Sequence, residues 1–241
     1  MSEATSRTEL LLGTDSIAKL TGQNILVVGV GGVGGYAVEM LGRAGIGHVT
    51  LVDGDIVEPS NLNRQIAALT DTLGKNKAQV MADRLRQINP EICVHVIPQF
   101  IQEGDVCGLL DSQNFTFIVD AIDSVGAKCR LISEAFARGI PIISSMGAGA
   151  RTRASDIHIE KLSRTHHDGL SKAVRKRLTG TGIPDRLDVV FSNEEADRNA
   201  ILPRENESAK GTVGTVSWIP AMFGCHIAQY VILKVTGNDR T

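Results

Sequence analysis

Short apolar runs and amphipathic stretches alternate through the first 145 residues. "ILVVGV" at 25–30 is a continuous apolar run leading into glycines, the mark of a strand buried on both faces. "GGYAVEMLGRAG" then predicts a helix ending at Gly45, and "HVTLVD" at 48–53 a second strand. From Gly74 to Asn89, the residues Ala78, Met81, Leu85 and Ile88 step by three, four and three. That spacing puts them on one helix face, and Pro90 stops the helix. "ICVHVIP" and "FTFIVDAI" predict the third and fourth strands, "AKCRLISEAFARG" a helix closed by Gly139, and "IPIISS" the fifth strand. This alternation predicts an α/β fold: a doubly wound, Rossmann-like, mostly parallel sheet.

Beyond residue 150 the pattern changes. "DIHIEKL" alternates like a strand, "GLSKAVRKRL" is a short basic helix, and "DVVFSNEEA" reads as another strand. Residues 193–212 are polar and predict a long crossover loop. The stretch Val213 to Val235 is almost uncharged and long enough to cross a membrane. Pro220, His226 and Gln229 interrupt it, so a buried terminal helix covering both the sheet and a partner subunit fits better. The expected organisation is one domain over 1–241. Its nucleotide-binding core spans about 20–146, and a strand/helix excursion for substrate binding and dimerisation spans about 147–241.

Composition narrows the function classes. With 25 Lys and Arg against 27 Asp and Glu, the net charge of -2 gives no global attraction to nucleic acid and leaves only a local patch open. The four cysteines form no C-x-x-C pair, which argues against a zinc knuckle and for buried, reduced thiols. "MSEATSRTEL" has no apolar core of a secretory signal, so a cytoplasmic protein is expected.

The chemistry concentrates behind predicted strands. "GVGGVGG" places G-x-G-x-x-G at Gly29, Gly31 and Gly34, with Gly32 between them, after a strand and before a helix. In that context the glycines allow a tight turn, and the helix N-terminus offers N–H groups to phosphate. The alternative is that they serve helix–strand packing alone. Asp53 lies 19 residues after Gly34, where a ribose-binding acid is expected. "DGDIVEPSNLNRQ" then adds Asp55, Asn61, Arg64 and Gln65. Strand-end loops of an open α/β sheet converge on one rim, so these residues should meet Lys77, Asp123 and "SSMGAGA". A nicotinamide cofactor rarely calls for an arginine, a lysine and a further acid together. A triphosphate does, because cations balance its charge and an acid can hold magnesium. Lys77 near a helix start opposes the macrodipole, which a ligand anion would offset; an ordinary solvated lysine is the plainer reading. Asp123 also fits a helix N-cap.

"GVGGVG", "VDGDIVEPSNLNRQ", "GKNKAQVMADRLRQINP" and "DAIDSVGAKCRLI" resemble the adenylate-forming domain shared by ubiquitin-activating enzymes and the bacterial, ThiF-like activators of sulfur carriers. The resemblance implies ATP over the glycine loop and ribose at Asp53, with Asn61, Arg64 and Lys77 handling phosphates. It gives Asp123 to magnesium and the reaction, a carboxylate attacking the α-phosphate. "RTELLLG" and "GAGARTRASDIHIEKLSRTHHDGLSKAVRKRL" narrow it to the tRNA threonylcarbamoyladenosine dehydratase branch. Members of that branch activate the carboxylate of the threonylcarbamoyl group beside the anticodon, and the ring then closes. No cysteine lies between Cys129 and Cys225, consistent with a nucleophile inside the substrate. One departure stands out. Sulfur-carrier relatives have R-x-x-R near the N-terminus, the second arginine reaching the partner's ATP, whereas here Arg7 is followed by Leu10. Either Arg7 takes that duty or nothing here does. The resemblance further implies a homodimer and leaves a cysteine desulfurase/sulfur-acceptor system open as a partner.

Between Arg151 and Arg186 nine Lys or Arg face four acids, an excess of five that suits a phosphate-backbone footprint. Lys172, Arg175, Lys176 and Arg177 are the candidate tRNA contacts, a solvated basic helix being the plainer reading. No aromatic interleaving to stack single-stranded bases is evident. Three other readings compete: adenylation of a ubiquitin-like sulfur carrier, nicotinamide-dependent oxidoreduction, and a catalytically idle nucleotide-binding adaptor. The missing zinc and cysteine motifs weigh against the first. Arg64, Lys77 and Asp123 weigh against the second.

Overall fold

The computed structural model describes residues 3–202 and 212–238. Seven strands form one sheet in the order β3-β2-β1-β4-β5-β7-β6. These are β1 (Asn24–Val28), β2 (His48–Val52), β3 (Cys93–Ile97), β4 (Phe117–Asp120), β5 (Ile142–Ser145), β6 (Ile157–Lys161) and β7 (Asp188–Ser192). All pairings are parallel except β6 on β7, so the excursion after residue 150 extends the same sheet with an antiparallel edge. The order reverses between β1 and β4, the switch point at which α/β sheets open a ligand crevice.

Each face of the sheet is covered by helices, which explains the continuous apolar runs. On β1, Ile25 and Val27 join one core and Leu26 and Val28 the other, as the two-residue strand period demands. The first core gathers α2 (Thr14–Thr21), α3 (Gly34–Ala44), α4 (Lys77–Ile88) and α8 (Trp218–Thr236) through Leu20, Leu41, Met81 and Phe223. The second gathers α5 (Val106–Asp111), α6 (Val125–Arg138) and α7 (Gly169–Arg177) through Leu110, Leu131 and Val174. Helices α3 and α6 stop at Gly45 and Gly139, both left-handed, as their sequences predict.

Several expectations change. Helix α4 begins at Lys77 rather than Gly74, because Asn76 caps it by accepting the Gln79 amide at 3.1 Å. The apolar terminal segment is helical from Trp218, and α8 has the length and composition of a membrane span. Here it packs Ile219, Phe223, Ile227 and Val231 into the core instead. The polar crossover is not wholly irregular: β8 (Ile201–Leu202) and β9 (Thr212–Val213) pair across it, and its residues 203–211 lie outside the described ones. Cys129 is buried, but Cys93 is exposed, and Cys107 and Cys225 are half-buried; all four are free thiols. An N-terminal helix, α1 (Ser6–Leu12), precedes α2 across Gly13.

Candidate active site

The switch-point crevice is built by backbone register. Val28 pairs with Val52 on one side and with Asp120 on the other, so the three following loops emerge side by side. The Gly29 amide donates to the Val52 carbonyl at 2.8 Å, and the Ala121 amide to Val28 at 2.9 Å. Gly29 has φ 87. At Gly34 a Cβ would lie 1.8 Å from the Gly29 carbonyl oxygen, so the turn closes only on glycine. Packing therefore accounts for Gly34. It does not account for Gly31, where a Cβ would meet only Gln65 Nε2, at 3.8 Å. The loop is open on the side facing the crevice.

Asp53 braces this loop: its Oδ2 accepts the Val30 amide and its Oδ1 the Asp55 amide, each at 2.8 Å. Both oxygens retain a lone pair for a ribose hydroxyl. Asn76 Nδ2 donates to the carbonyls of Asp53 and Asp55 at 3.0 and 3.2 Å, tying the acidic loop to the start of α4. Lys77 is 5 % exposed, not an ordinary solvated lysine, and its Nζ meets Asp55 Oδ2 at 3.0 Å. Arg64 runs against the glycine loop, with Cγ 3.7 Å from the Gly32 Cβ position, and its Nη1 donates to Ser60 O and Asn63 Oδ1. Asn61 is buried and accepts the Glu58 amide at 3.1 Å, holding the turn that carries Arg64. Gln65 is buried beside Gly31, and its Oε1 has no partner among the described residues. A buried acceptor left open in a crevice calls for a donor from water or ligand.

Asp123 lies on the exposed link between β4 and α6, at the same rim. It is not the N-cap of α6, a position taken by Ser124. No cluster of three metal-ligating side chains occurs among the described residues. One carboxylate with phosphate oxygens is nonetheless a donor set that magnesium accepts. Arg7 is displaced from this rim within its own chain. Thr5, at the start of α1, approaches Gly45 at the C-terminal end of α3, whereas the glycine loop sits at the N-terminal end. Eleven helical residues separate the two by about 16 Å.

The basic helix is also rearranged. Arg175 turns inward, donating to the carbonyls of Leu162 and Thr165 and to the Thr165 hydroxyl. Arg177 pairs with Glu103 at 2.7 Å, and Glu103 itself lies against Gly126 at the start of α6. Arg151 is 4 % exposed, so it is no surface contact. Lys161, Arg153 and Arg164 pair with Asp188, Asp156 and Glu160. The local excess of five is thus mostly spent internally; on the basic helix Lys172 and Lys176 remain exposed without an ion pair among the described residues, as does Arg186 beyond it, which lies over the Phe136 ring.

Two buried networks escaped the sequence reading. Lys128, wholly buried, donates to Asp120 Oδ2 at 2.7 Å and to Ser144 Oγ and Ser145 O at 3.0 Å, beneath the loop bearing Asp123. Arg151 reaches the carbonyls of Gly147, Gly149 and His167 and the carboxylate of Asp168. Asp168 accepts the Gly147 amide and caps α7 through the Ser171 amide, so the basic helix is bolted to the loop after β5. Glu194 pins the next residues. Burial works against its charge, but the Arg153 and Thr152 amides and the Thr152 hydroxyl outweigh it and hold the carboxyl below the usual range. Burial pushes the Cys129 and Cys225 thiols up, away from nucleophilic thiolate. A cavity of 580 Å³ lined by Phe136, Pro141, Arg186 and Tyr230 opens at the opposite ends of the strands, away from this chemistry.

The ThiF family profile matches residues 5–241. The chain belongs to the ThiF family. This ThiF-family chain is 39% identical over 242 residues to the tRNA threonylcarbamoyladenosine dehydratase of Bacillus subtilis, covering 95% of the chain and 93% of the relative. The dehydratase of Escherichia coli is 35% identical over 247 residues, with 95% and 91% covered. The crystal structure of the E. coli tRNA N6-threonylcarbamoyladenosine dehydratase in complex with ATP superposes with a TM-score of 0.88 at 33% identity, covering 98% of this chain and 95% of that one. The same enzyme in complex with AMP superposes with a TM-score of 0.87. By contrast, an E. coli molybdopterin-synthase adenylyltransferase matches over only 57% of this ThiF-family chain, at 32% identity.

Proposed function

We propose that this protein is an ATP-dependent tRNA threonylcarbamoyladenosine dehydratase, which adenylates the carboxylate of the threonylcarbamoyl group and lets the ring close. The full-length similarity to dehydratases, one of them crystallised with ATP and with AMP, carries this reading. A substrate carboxylate oxygen bonds to the α-phosphorus of ATP as the bond to pyrophosphate breaks. A nucleophile of the same threonylcarbamoyl group then attacks the activated carbonyl, and AMP departs with the carboxylate oxygen. The net change is loss of one water from the modified base. No enzymic thiol is required, in keeping with the buried Cys129 and half-buried Cys225, whose thiols burial pushes away from thiolate.

Within that reaction Gly29, Gly31, Gly32 and Gly34 shape the phosphate turn, and Asp53 orients the ribose. Arg64 and Lys77 follow the charge that develops on the α-phosphate and leaving group, Lys77 exchanging Asp55 for phosphate. Asn61 and Gln65 hold and complete the same wall. Asp123 orients the reacting carboxylate and would hold magnesium, which when bound neutralises phosphate charge. Replacing Lys77 with alanine should lower kcat/KM for ATP by about ten- to a hundred-fold, the value of a charge-assisted hydrogen bond. Steady-state kinetics against ATP checks this.

The 147–241 region supplies substrate binding and dimer contacts in this account. Trp218 at the start of α8 is 49% exposed, and outside that region Leu10 and Leu11 on α1 are 87% and 83% exposed, separate apolar side chains suited to contact with a second copy. In such a homodimer Arg7 could act only across the interface. A cytoplasmic location accords with four free thiols. A cysteine desulfurase/sulfur-acceptor system would act as an accessory partner, outside the chemistry described. For tRNA, the exposed pair is the relevant one. Lys172→Glu with Lys176→Glu should raise the Kd for tRNA and flatten its salt dependence, with each lost phosphate contact reducing the slope by about one. Filter binding across a salt series measures both.

The reading is tested by pyrophosphate release. Release should require tRNA carrying threonylcarbamoyladenosine. Release with a Gly-Gly-ended carrier protein and none with that tRNA would instead support the sulfur-carrier reading.

A further inference from the structure

Four aromatic rings climb from the second core to the rim. Phe191 on β7 is 1% exposed and meets His158 edge-on at 5.2 Å and His166 at 5.6 Å. His166 meets His167 at 4.9 Å, with the ring planes at 78°. Both outer imidazoles are exposed, although their neighbours Thr165 and Asp168 are buried. His167 is one of two non-glycine residues with positive φ among those described, at φ 53. Side chains rarely adopt this conformation, and where it persists the surroundings enforce it. Here the buried Arg151 guanidinium clamps the His167 carbonyl at 2.9 Å, and Asp168 next to it is held by the Gly147 amide at 2.9 Å. The structure therefore invests a buried cation and a strained backbone in presenting two rings to solvent.

Their place is informative. Gly147 lies just past β5, which pairs with β4, and Asp123 lies three residues past the end of β4. Asp168 caps α7, whose exposed Lys172 and Lys176 lie one and two turns further on. The rings thus stand between the candidate reaction centre and the cations available for a phosphate backbone. Planar rings beside cations suit an unpaired nucleobase, which stacks without regard to its identity.

We propose that His166 and His167 form a stacking platform for an unpaired nucleobase of the RNA substrate adjoining the modified adenosine. The proposal rests on the dehydratase reading and adds a base-binding subsite to it. The platform recruits no proton transfer; it positions the loop so that the modified base reaches the crevice.

The test uses the full chain, a fluorescent anticodon stem-loop RNA carrying threonylcarbamoyladenosine, and three variants. His166→Ala removes a ring. His166→Phe keeps a ring on Phe191. His167→Gly removes a ring at a φ that glycine adopts freely, so the fold should be no less stable. Expected are a rise in Kd of about ten-fold for His166→Ala and for His167→Gly, and a value near wild type for His166→Phe. The slope of log Kd against log salt should be the same in all, since stacking releases no counterions. Wild-type affinity in both His166→Ala and His167→Gly would overturn the platform while leaving the dehydratase reading standing. Loss in His166→Phe equal to that in His166→Ala would also overturn it, by assigning the effect to hydrogen bonding or charge. A wild-type protein that binds ATP but not the stem-loop would overturn both.

Discussion

Replacing Asp123 with alanine should reduce turnover of threonylcarbamoyladenosine-tRNA by about 10²–10³-fold, the cost of losing one preorganised group at a reacting centre. The side chain is exposed on the link between β4 and α6, and it does not cap the helix. Loss of an exposed loop carboxylate should change stability little, by about 1 kcal/mol or less. Asp123 follows Asp120, whose register with Val28 fixes the link against the glycine turn. The expected pattern is a collapse in kcat with an unchanged melting temperature, read by single-turnover conversion and a thermal melt of the same sample. Near-normal turnover would remove Asp123 from the mechanism. A large drop in melting temperature would give it a structural duty instead.

The second large effect is expected at Lys128, and it should be on stability. Lys128, Asp120 and Ser144 are all wholly buried, and Ser144 donates to Asp120 Oδ2 at 2.6 Å. Lys128→Met keeps most of the volume but leaves the Asp120 carboxylate without its cation. Breaking a buried pair from one side costs about 3–5 kcal/mol. For a chain of this size that lowers the melting temperature by roughly 6–20 °C. Pairing Lys128→Met with Asp120→Asn removes the stranded charge, so the double variant should melt above the single one. Calorimetry on the two proteins checks the order, and equal or inverted melting temperatures would show that the pair contributes little.

What could be read from the sequence follows from the range of the forces involved. Periodicity reports which face of a local element is buried, so "ILVVGV", Ala78 to Ile88 and the strand alternation of "DIHIEKL" all predicted elements that are present. Gly45 and Gly139 marked helix ends because a left-handed residue is a local requirement. The rim residues Gly29, Asp53, Arg64 and Lys77 were legible because strand-end loops of a parallel sheet must converge. Partners far apart in the chain were not. Lys128 reads as a polar position in the first turn of α6, and only Ser144 and Asp120, brought together by β4–β5 pairing, make it a core residue. Arg175 and Arg151 count as surface charge in the sequence, because the carbonyls that accept their hydrogen bonds come from other segments. The ring cluster at His166 and His167 is not legible in the sequence because Phe191, against which His166 packs, lies on a strand about 25 residues further along the chain. The two-residue strands β8 and β9 are too short to impose a period. Helix α1 was missed because Gly13, at φ 89, breaks its pattern from that of α2.

The central claim is that this rim spends ATP on closing a ring in tRNA rather than on activating a protein carrier. It is tested most directly by mass analysis of nucleosides from tRNA incubated with the protein, ATP and magnesium. The account predicts that threonylcarbamoyladenosine is replaced by a species lighter by one water, only when ATP is present. An unchanged nucleoside profile, from protein that binds ATP and turns it over with another acceptor, would contradict it.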